Sequence, residues 1–328
     1  MEPADVSPSL IDRWRRRWHR PQPQPALAAP VVAPPEGVPP PGPEVLTIDM
    51  AATLTPVFAA EYPLADAAAS RALAAVHGVD LSRLARRSPG LTGYDWSAYL
   101  RCSVARVVRV QRALAQHAVP GARVLDFGSY FGNFSLALAA SGYAVEAIDG
   151  YGEYGTALAP CVALQLSQGI QVHDFAELGP DLTSLHGRFD AVACAGVIEH
   201  IPHTPRHLME TLTRLLRPGG ILILDTPNLA YLYRRLALME GQTIFPPIAQ
   251  QYYTELPFEG HHREYTVAEV EWMLVAAGHA VLSVETFNYS VFSQPELTGD
   301  HVEYFHAMQA DPSLREIIIA VSRRPLNV

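Results

Sequence analysis

The sequence predicts an α/β fold: a three-layer sandwich in which a seven-stranded, mostly parallel sheet carries helices on both faces, with a helical extension ahead of it. Three observations carry that expectation. The segment Arg123 to Phe134 (RVLDFGSYFGNF) reads as a buried strand entering a glycine-punctuated turn that opens a helix, the arrangement with which α/β proteins hold nucleotides. After residue 121, short apolar runs alternate with segments of helix length, as buried parallel strands joined by crossover helices require. The intervening segments also carry their own helix start and stop signals.

Taken in order, the first 43 residues read as a disordered tail and linker. Leu10, Trp14 and Trp18 share one helical face beside Arg13, Arg15, Arg16, Arg17 and Arg20. For residues 9–20 two readings stay open, a solvated tail and a peptide that docks on a membrane surface or a partner groove. A proline-dense run over 21–43 follows, too rich in proline for helix or sheet. Those prolines also interrupt the apolar run that a signal peptide would need. Residues 44–120 read as a helical cap, most clearly over Trp96 to His117, where Tyr99, Val104, Val107, Val108, Val110 and Leu114 make an apolar stripe. Such a segment serves either as a lid or as packing for the sheet.

From 121 to 328 the strands are expected at Val124 to Phe127, Ala144 to Ile148, Ile170 to His173, Phe189 to Cys194 and Ile221 to Leu224, closed by Val281 to Phe287 and Glu316 to Ser322. Thr204 caps a helix with Pro205 in its first turn, Leu208, Leu212, Leu215 and Leu216 on its buried face, and Pro218-Gly219-Gly220 at its end. Thr266 and Glu269 fit a capping box for a helix that ends at Gly278. The long segment Asn288 to Leu314 is expected to be an insertion near the site.

Composition narrows the function. All 24 basic residues are arginine, so lysine-dependent phosphate binding, Schiff-base chemistry and a Tyr/Lys dehydrogenase pair are excluded. A net charge of -9 disfavours nucleic acid as the partner. Cys102, Cys161 and Cys194 are far apart in sequence, as suits reduced thiols in the cytoplasm rather than a disulfide frame. No apolar run reaches the 18 or so residues of a membrane span.

With the downstream residues added, the chain resembles the class I S-adenosylmethionine-dependent methyltransferases, which are Rossmann-like, over residues 121–323, in the branch with a Glu-His after the strand at Phe189. Asp126, Gly128 and Gly132 match the first motif, with Ser129 and Tyr130 between the glycines. Asp149, followed by Gly150, matches the ribose-binding acid, and Asp174 the acid beside the adenine amine, with Phe175 placed to pack on the base. Phe189-Asp190, Ala195, Glu199-His200, Arg217-Pro218-Gly219-Gly220 and Thr226-Pro227-Asn228 follow in order. The resemblance implies S-adenosylmethionine as cofactor. The residues support it: Asp149 stands about 20 residues beyond Asp126, the spacing that puts a carboxylate at the tip of the neighbouring strand to accept both hydroxyl protons of a diol. Tyr130 departs from the family, which usually has a glycine there. Either its ring covers the methionine portion of the cofactor or the turn has a different shape.

The same resemblance places acceptor chemistry at Glu199, His200, His261 and His262, with a histidine as base for a hydroxyl proton. His203 and His207 read as surface residues at a helix start. Glu199-His200 with a later histidine also resembles the divalent-metal site of relatives that methylate catechol-like or ribose hydroxyls. Those relatives often carry a further Glu where this chain has Gly196, and no metal is assigned. The expectation is O-methylation of a small molecule, sugar or other glycan, with a homodimer left open. N- or C-methylation is the alternative within the class. A nicotinamide oxidoreductase would need a GxGxxG directly after the first strand, where this chain has Gly128-Ser129-Tyr130-Phe131-Gly132, and the intact Glu199, His200, His261 and His262 weigh against a non-catalytic cofactor-binding scaffold that docks a partner through the tail.

Overall fold

The computed structural model describes residues 45–86, 92–178, 182–202 and 204–326. The expectations for the Trp/Arg-rich tail, the whole proline-dense run and His203 lie outside the described residues. Seven strands form the main sheet: β2 (Arg123–Phe127), β3 (Ala144–Asp149), β4 (Gln171–Asp174), β5 (Phe189–Ala195), β6 (Leu216–Pro227), β7 (Ala280–Phe287) and β9 (Ile317–Arg323), in the order β4-β3-β2-β5-β6-β9-β7. The first five are parallel, and β9 runs antiparallel to both β6 and β7. The lateral strand order reverses at β2, which has β3 on one side and β5 on the other. Ligands of open α/β sheets bind at such a switch point, outside the carboxyl ends of the strands.

Alternation along the strands divides the core between two faces. Val124, Val145, Ala193, Ile223 and Ile319 point to α2 (Tyr62–Ala75), α3 (Trp96–His117) and α4 (Asn133–Ala140). Leu125, Ile148, Val192, Leu222 and Ile318 point to α7 (Pro205–Leu215) and α10 (Val267–Ala276). That is the three-layer sandwich the pattern predicts. Helices α7 and α10 start as their sequences dictate: the Thr204 hydroxyl accepts from Arg206 N, and Thr266 and Glu269 form a complete capping box. The shorter helices are α1 (Met50–Leu54), α5 (Ala159–Ser167), α6 (Phe175–Leu178), α8 (Leu232–Met239), α9 (Ile248–Tyr252) and α11 (Asp300–Ala310).

Two boundaries differ from expectation. The cap opens with a strand, β1 (Val45–Thr47), paired antiparallel with β8 (Glu296–Thr298) from the segment between β7 and β9. Three residues carry no periodicity, and a partner 250 positions away leaves no local trace. Leu216, expected on a helix, instead begins β6, because Pro218-Gly219-Gly220 pairs back on the end of β9 through Gly219 N to Arg324 O and Arg324 N to Gly220 O. No helix of the described residues is long and apolar enough to cross a membrane.

Candidate functional site

The turn after β2 is held by backbone before any ligand is considered. Gly128 N and Ser129 N both donate to Ile148 O, at 2.9 and 3.1 Å, and Gly132 N to Ser129 O at 2.7 Å. Gly128 and Gly132 have φ of 83° and 73°, a region open to glycine at no steric cost. A Cβ on Gly128 would stand 2.3 Å from Val197, and one on Gly132 2.3 Å from Gln165. Packing within the protein thus favours glycine at both positions, beside the backbone freedom that the turn uses. The Val197 contact also joins this turn to the loop after β5.

Tyr130 itself has φ 47°, which costs a side-chain-bearing residue roughly 1–2 kcal/mol. Two features offset that cost. Its N–H donates to Asp149 Oδ2 at 2.7 Å, and its ring packs edge-on against Trp96, Tyr99, Phe131 and Tyr154, with centroids 4.6–6.5 Å away. Trp96 and Tyr99 belong to the first turn of α3, so the helical extension forms part of the wall. Ser129 bonds Tyr151 hydroxyl to hydroxyl at 2.6 Å.

The three acids fare differently. Asp149, at the tip of β3, is 7 % exposed. It accepts from Tyr130 N, from Gly150 N at 2.7 Å and from the Tyr154 hydroxyl at 3.1 Å. Burial raises its pKa against the pull of those donors. Asp174 lies in register beside it on β4, and its oxygens accept from Gly152 N at 2.6 Å and Ala176 N at 2.9 Å. Phe175 meets Phe127 edge-on at 5.3 Å. Asp126 is buried and bonded to Ser135 of α4 at 2.5 Å, and burial pushes its carboxyl up to about 7. It ties β2 to α4 from inside the turn.

Ala195 ends β5, and Ile198–His200 forms a single 3-10 turn beyond it. Glu199 is buried, accepts from the Thr226 hydroxyl at 3.1 Å, and its carbonyl accepts from His262 N at 2.7 Å. That backbone bond draws the loop before α10 over the turn. His200 Nδ1 lies 2.7 Å from the Glu259 carbonyl. A carbonyl only accepts, so Nδ1 carries the proton and Nε2 keeps a lone pair. Packing around the ring lowers the His200 pKa despite the nearby Glu199 charge. His261 meets His200 edge-on, centroids 4.8 Å apart, and its Nδ1 lies 2.6 Å from Glu264 Oε1. Burial would depress His261, yet the bond to Glu264 and the charges of Glu199 and Glu264 raise it overall.

The structure thus separates the two neighbouring histidines. His261 joins Glu199 and His200, with one ligand-type atom from each of the three inside 4.8 Å. His262 turns away to bond the Phe258 carbonyl at 2.9 Å and pack on the Phe258 ring. Several residues escaped the sequence reading. Glu264, 5 % exposed, is shared by His261 and Arg234. Arg106 of α3 and Asp225 of β6 form a buried ion pair. Arg106 fills the space a side chain at Gly196 would take, since a Cβ there would stand 2.8 Å from its Nη2. The signals were faint: an arginine within an apolar stripe and an aspartate ending the run ILILD.

A family model described as a methyltransferase domain matches residues 77–284. The ubiquinone biosynthesis O-methyltransferase of Xanthomonas campestris pv. campestris (strain B100) is 39% identical over 127 residues, 37% of this chain and 49% of that protein. The protein of the same name from Xylella fastidiosa (strain M23) is 37% identical over 123 residues, 37% of this chain and 48% of that one. The chain spans about half the length of the curated relatives it matches. Among solved structures, an S-adenosylmethionine dependent methyltransferase from Mesorhizobium loti aligns with a TM-score of 0.46 at 21% identity, over 66% of this chain and 97% of that one. The 1,6-didemethyltoxoflavin-N1-methyltransferase of Burkholderia thailandensis aligns at 0.45 and 16% identity, over 73% and 87%.

Proposed function

The chain belongs to the methyltransferase domain family, and from that premise we propose that it methylates a hydroxyl of a small molecule or sugar, with His200 as the base. The observation that carries this reading is the convergence of Glu199, His200 and His261 at the end of β5, one residue contact from the β2 turn. The residues around that turn fit S-adenosylmethionine. Asp149 is oriented by two backbone N–H groups and closed by a single phenol, which a ribose diol can replace. When bound, the cofactor supplies a sulfonium methyl for an acceptor oxygen to displace in line.

The protein's own residues then have two tasks. Positioning the acceptor against the methyl is worth up to about 7–11 kcal/mol. In this reading the aromatic wall of Trp96, Tyr99, Tyr130 and Tyr154 bounds the cofactor side of that place and the loop drawn down by Glu199 O bounds the side of the base. Removing the hydroxyl proton as the O–C bond forms and the C–S bond breaks falls to His200 Nε2. Its other nitrogen is fixed by Glu259, and Glu199 stabilises the resulting imidazolium. Such a base contributes about 10²–10⁴-fold. Glu264 holds His261 in one tautomer, completing the hydroxyl's surroundings.

A second reading is favoured by one observation. Each histidine spends Nδ1 on an oxygen, Glu259 O or Glu264 Oε1, as metal-bound histidines do. Glu199, His200 and His261 would hold an ion, and one carboxylate with two imidazoles suits Zn²⁺ or Mn²⁺ better than Mg²⁺. The ion would acidify the acceptor hydroxyl. Against it, the guanidinium of Arg106 stands beside Gly196, where relatives have a further carboxylate.

The test is transfer of a radiolabelled methyl group from S-adenosylmethionine to hydroxylated acceptors, with amine acceptors run in parallel. His200→Ala is expected to lower kcat by about 10²-fold or more while cofactor affinity holds. Transfer confined to amines, or full activity of His200→Ala, would replace the proposal.

A further inference from the structure

The segment between β7 and β9 closes a cavity of about 210 Å³ against the start of α8. Building on the methyl-transfer reading, we propose that this cavity is the acceptor pocket and that it takes a single neutral sugar ring. An apolar cavity of about 150 Å³ accepts benzene, so this one has room for one substituted six-membered ring.

Its walls combine two chemistries. Tyr231, Tyr233 and Phe305 present apolar ring faces, while Asn288, Ser290 and Glu316 present hydrogen-bonding groups. Asn288 is 8 % exposed. Its Oδ1 accepts from Glu316 N at 3.2 Å, and its Nδ2 is buried with no hydrogen-bond partner among the described residues. An orphaned buried donor costs about 1–3 kcal/mol, and an oxygen of a bound ligand would satisfy it. Glu316 Oε2 is oriented by Tyr289 N at 3.1 Å and Ser290 N at 2.9 Å. An amide donor and a carboxyl acceptor on one wall suit a hydroxyl, which both accepts and donates. Sugars join apolar C–H faces to a hydroxyl-bearing edge, as this lining does. An anionic acceptor would meet the Glu316 carboxyl.

Two chains of contacts run from the cavity's surroundings towards the cluster of Glu199, His200 and His261. The Tyr231 ring sits under Arg234 at 5.5 Å, and Arg234 shares Glu264 with His261. Tyr289, between Asn288 and Ser290, sits under Arg106 at 5.4 Å, and Arg106 packs against Gly196 at the end of β5.

The full chain is loaded with S-adenosylhomocysteine, whose binding is first measured by calorimetry, and then titrated with a panel of methyl hexopyranosides and methyl 6-deoxyhexopyranosides, with catechol as the competing class. At least one glycoside is expected to bind. Phe305→Ala and Asn288→Asp should each weaken it about tenfold, with S-adenosylhomocysteine affinity unchanged in both, which also shows that they fold. No glycoside binding to the loaded chain, with or without catechol binding, overturns the sugar proposal and leaves methyl transfer standing, as does glycoside binding that neither variant alters. Failure of the wild-type chain to bind S-adenosylhomocysteine would instead strike the methyl-transfer reading itself.

Discussion

Asp149 and Tyr154 offer a pair of substitutions with opposite expected signs. The Asp149 carboxylate accepts from two backbone N–H groups at 2.7 Å and from the Tyr154 phenol at 3.1 Å. A ribose diol would add two charge-assisted hydrogen bonds, each worth about 1.5–3 kcal/mol, and would displace the phenol at a loss of about 1 kcal/mol. Asp149→Asn removes the charge and one acceptor oxygen while leaving an acceptor for a backbone donor. The expected net loss of about 1.5–3 kcal/mol is a roughly tenfold to hundredfold weaker dissociation constant for S-adenosylhomocysteine. Tyr154→Phe removes the competing donor and keeps the ring in the aromatic wall, so affinity should rise by up to about fivefold. Isothermal titration calorimetry at fixed pH and salt measures both. An Asp149→Asn constant within threefold of wild type would refute the ribose assignment. A marked loss of affinity in Tyr154→Phe would show that the phenol contacts the ligand instead of guarding the carboxylate.

Three further outcomes follow from the geometry. Activity should survive EDTA, because the Arg106 guanidinium stands beside Gly196, next to the three candidate ligands in sequence; loss restored by Zn²⁺ or Mn²⁺ would move the chemistry to the metal reading. Gly196→Ala should lower unfolding stability by about 1–3 kcal/mol in urea titrations, since its φ is 69° and the new Cβ meets Arg106. His279 is buried against Thr213 and Ser322, and burial depresses its pKa to about 4. The unfolded chain therefore binds this proton first, so stability is full above about pH 6.5 and falls as pH drops towards 4, by up to about 3 kcal/mol. His279→Gln should flatten that slope between pH 6.5 and 4.5, and an unchanged slope would assign it to other groups.

The strands of the main sheet were legible because each is an apolar run bounded by turn residues. Val124 to Phe127 and Phe189 to Cys194 needed nothing beyond local pattern. Asp149 was legible from spacing, since one crossover sets the distance between neighbouring strand tips. What stayed hidden depends on contacts between distant segments. Whether His261 or His262 enters the cluster is decided by Glu199 O accepting from His262 N, a bond across more than sixty residues. The Arg106–Asp225 pair joins α3 to β6, and no spacing rule connects those positions. Tyr130 was visible as an exception, but its left-handed backbone follows from the Asp149 carboxylate and four aromatic neighbours gathered from three elements.

The first turn of α3 supplies Trp96 and Tyr99 to the aromatic wall, and the same helix carries Arg106 to Asp225 and Ser103 to the Asn133 amide at 2.9 Å. A fragment trimmed to the recognisable motifs, beginning near residue 121, would keep every glycine and acid of the β2 turn and lose the partners that give that turn its form. The smallest piece able to work therefore begins before the first motif, and engineering of this chain by domain grafting has to carry α3 along with the sheet.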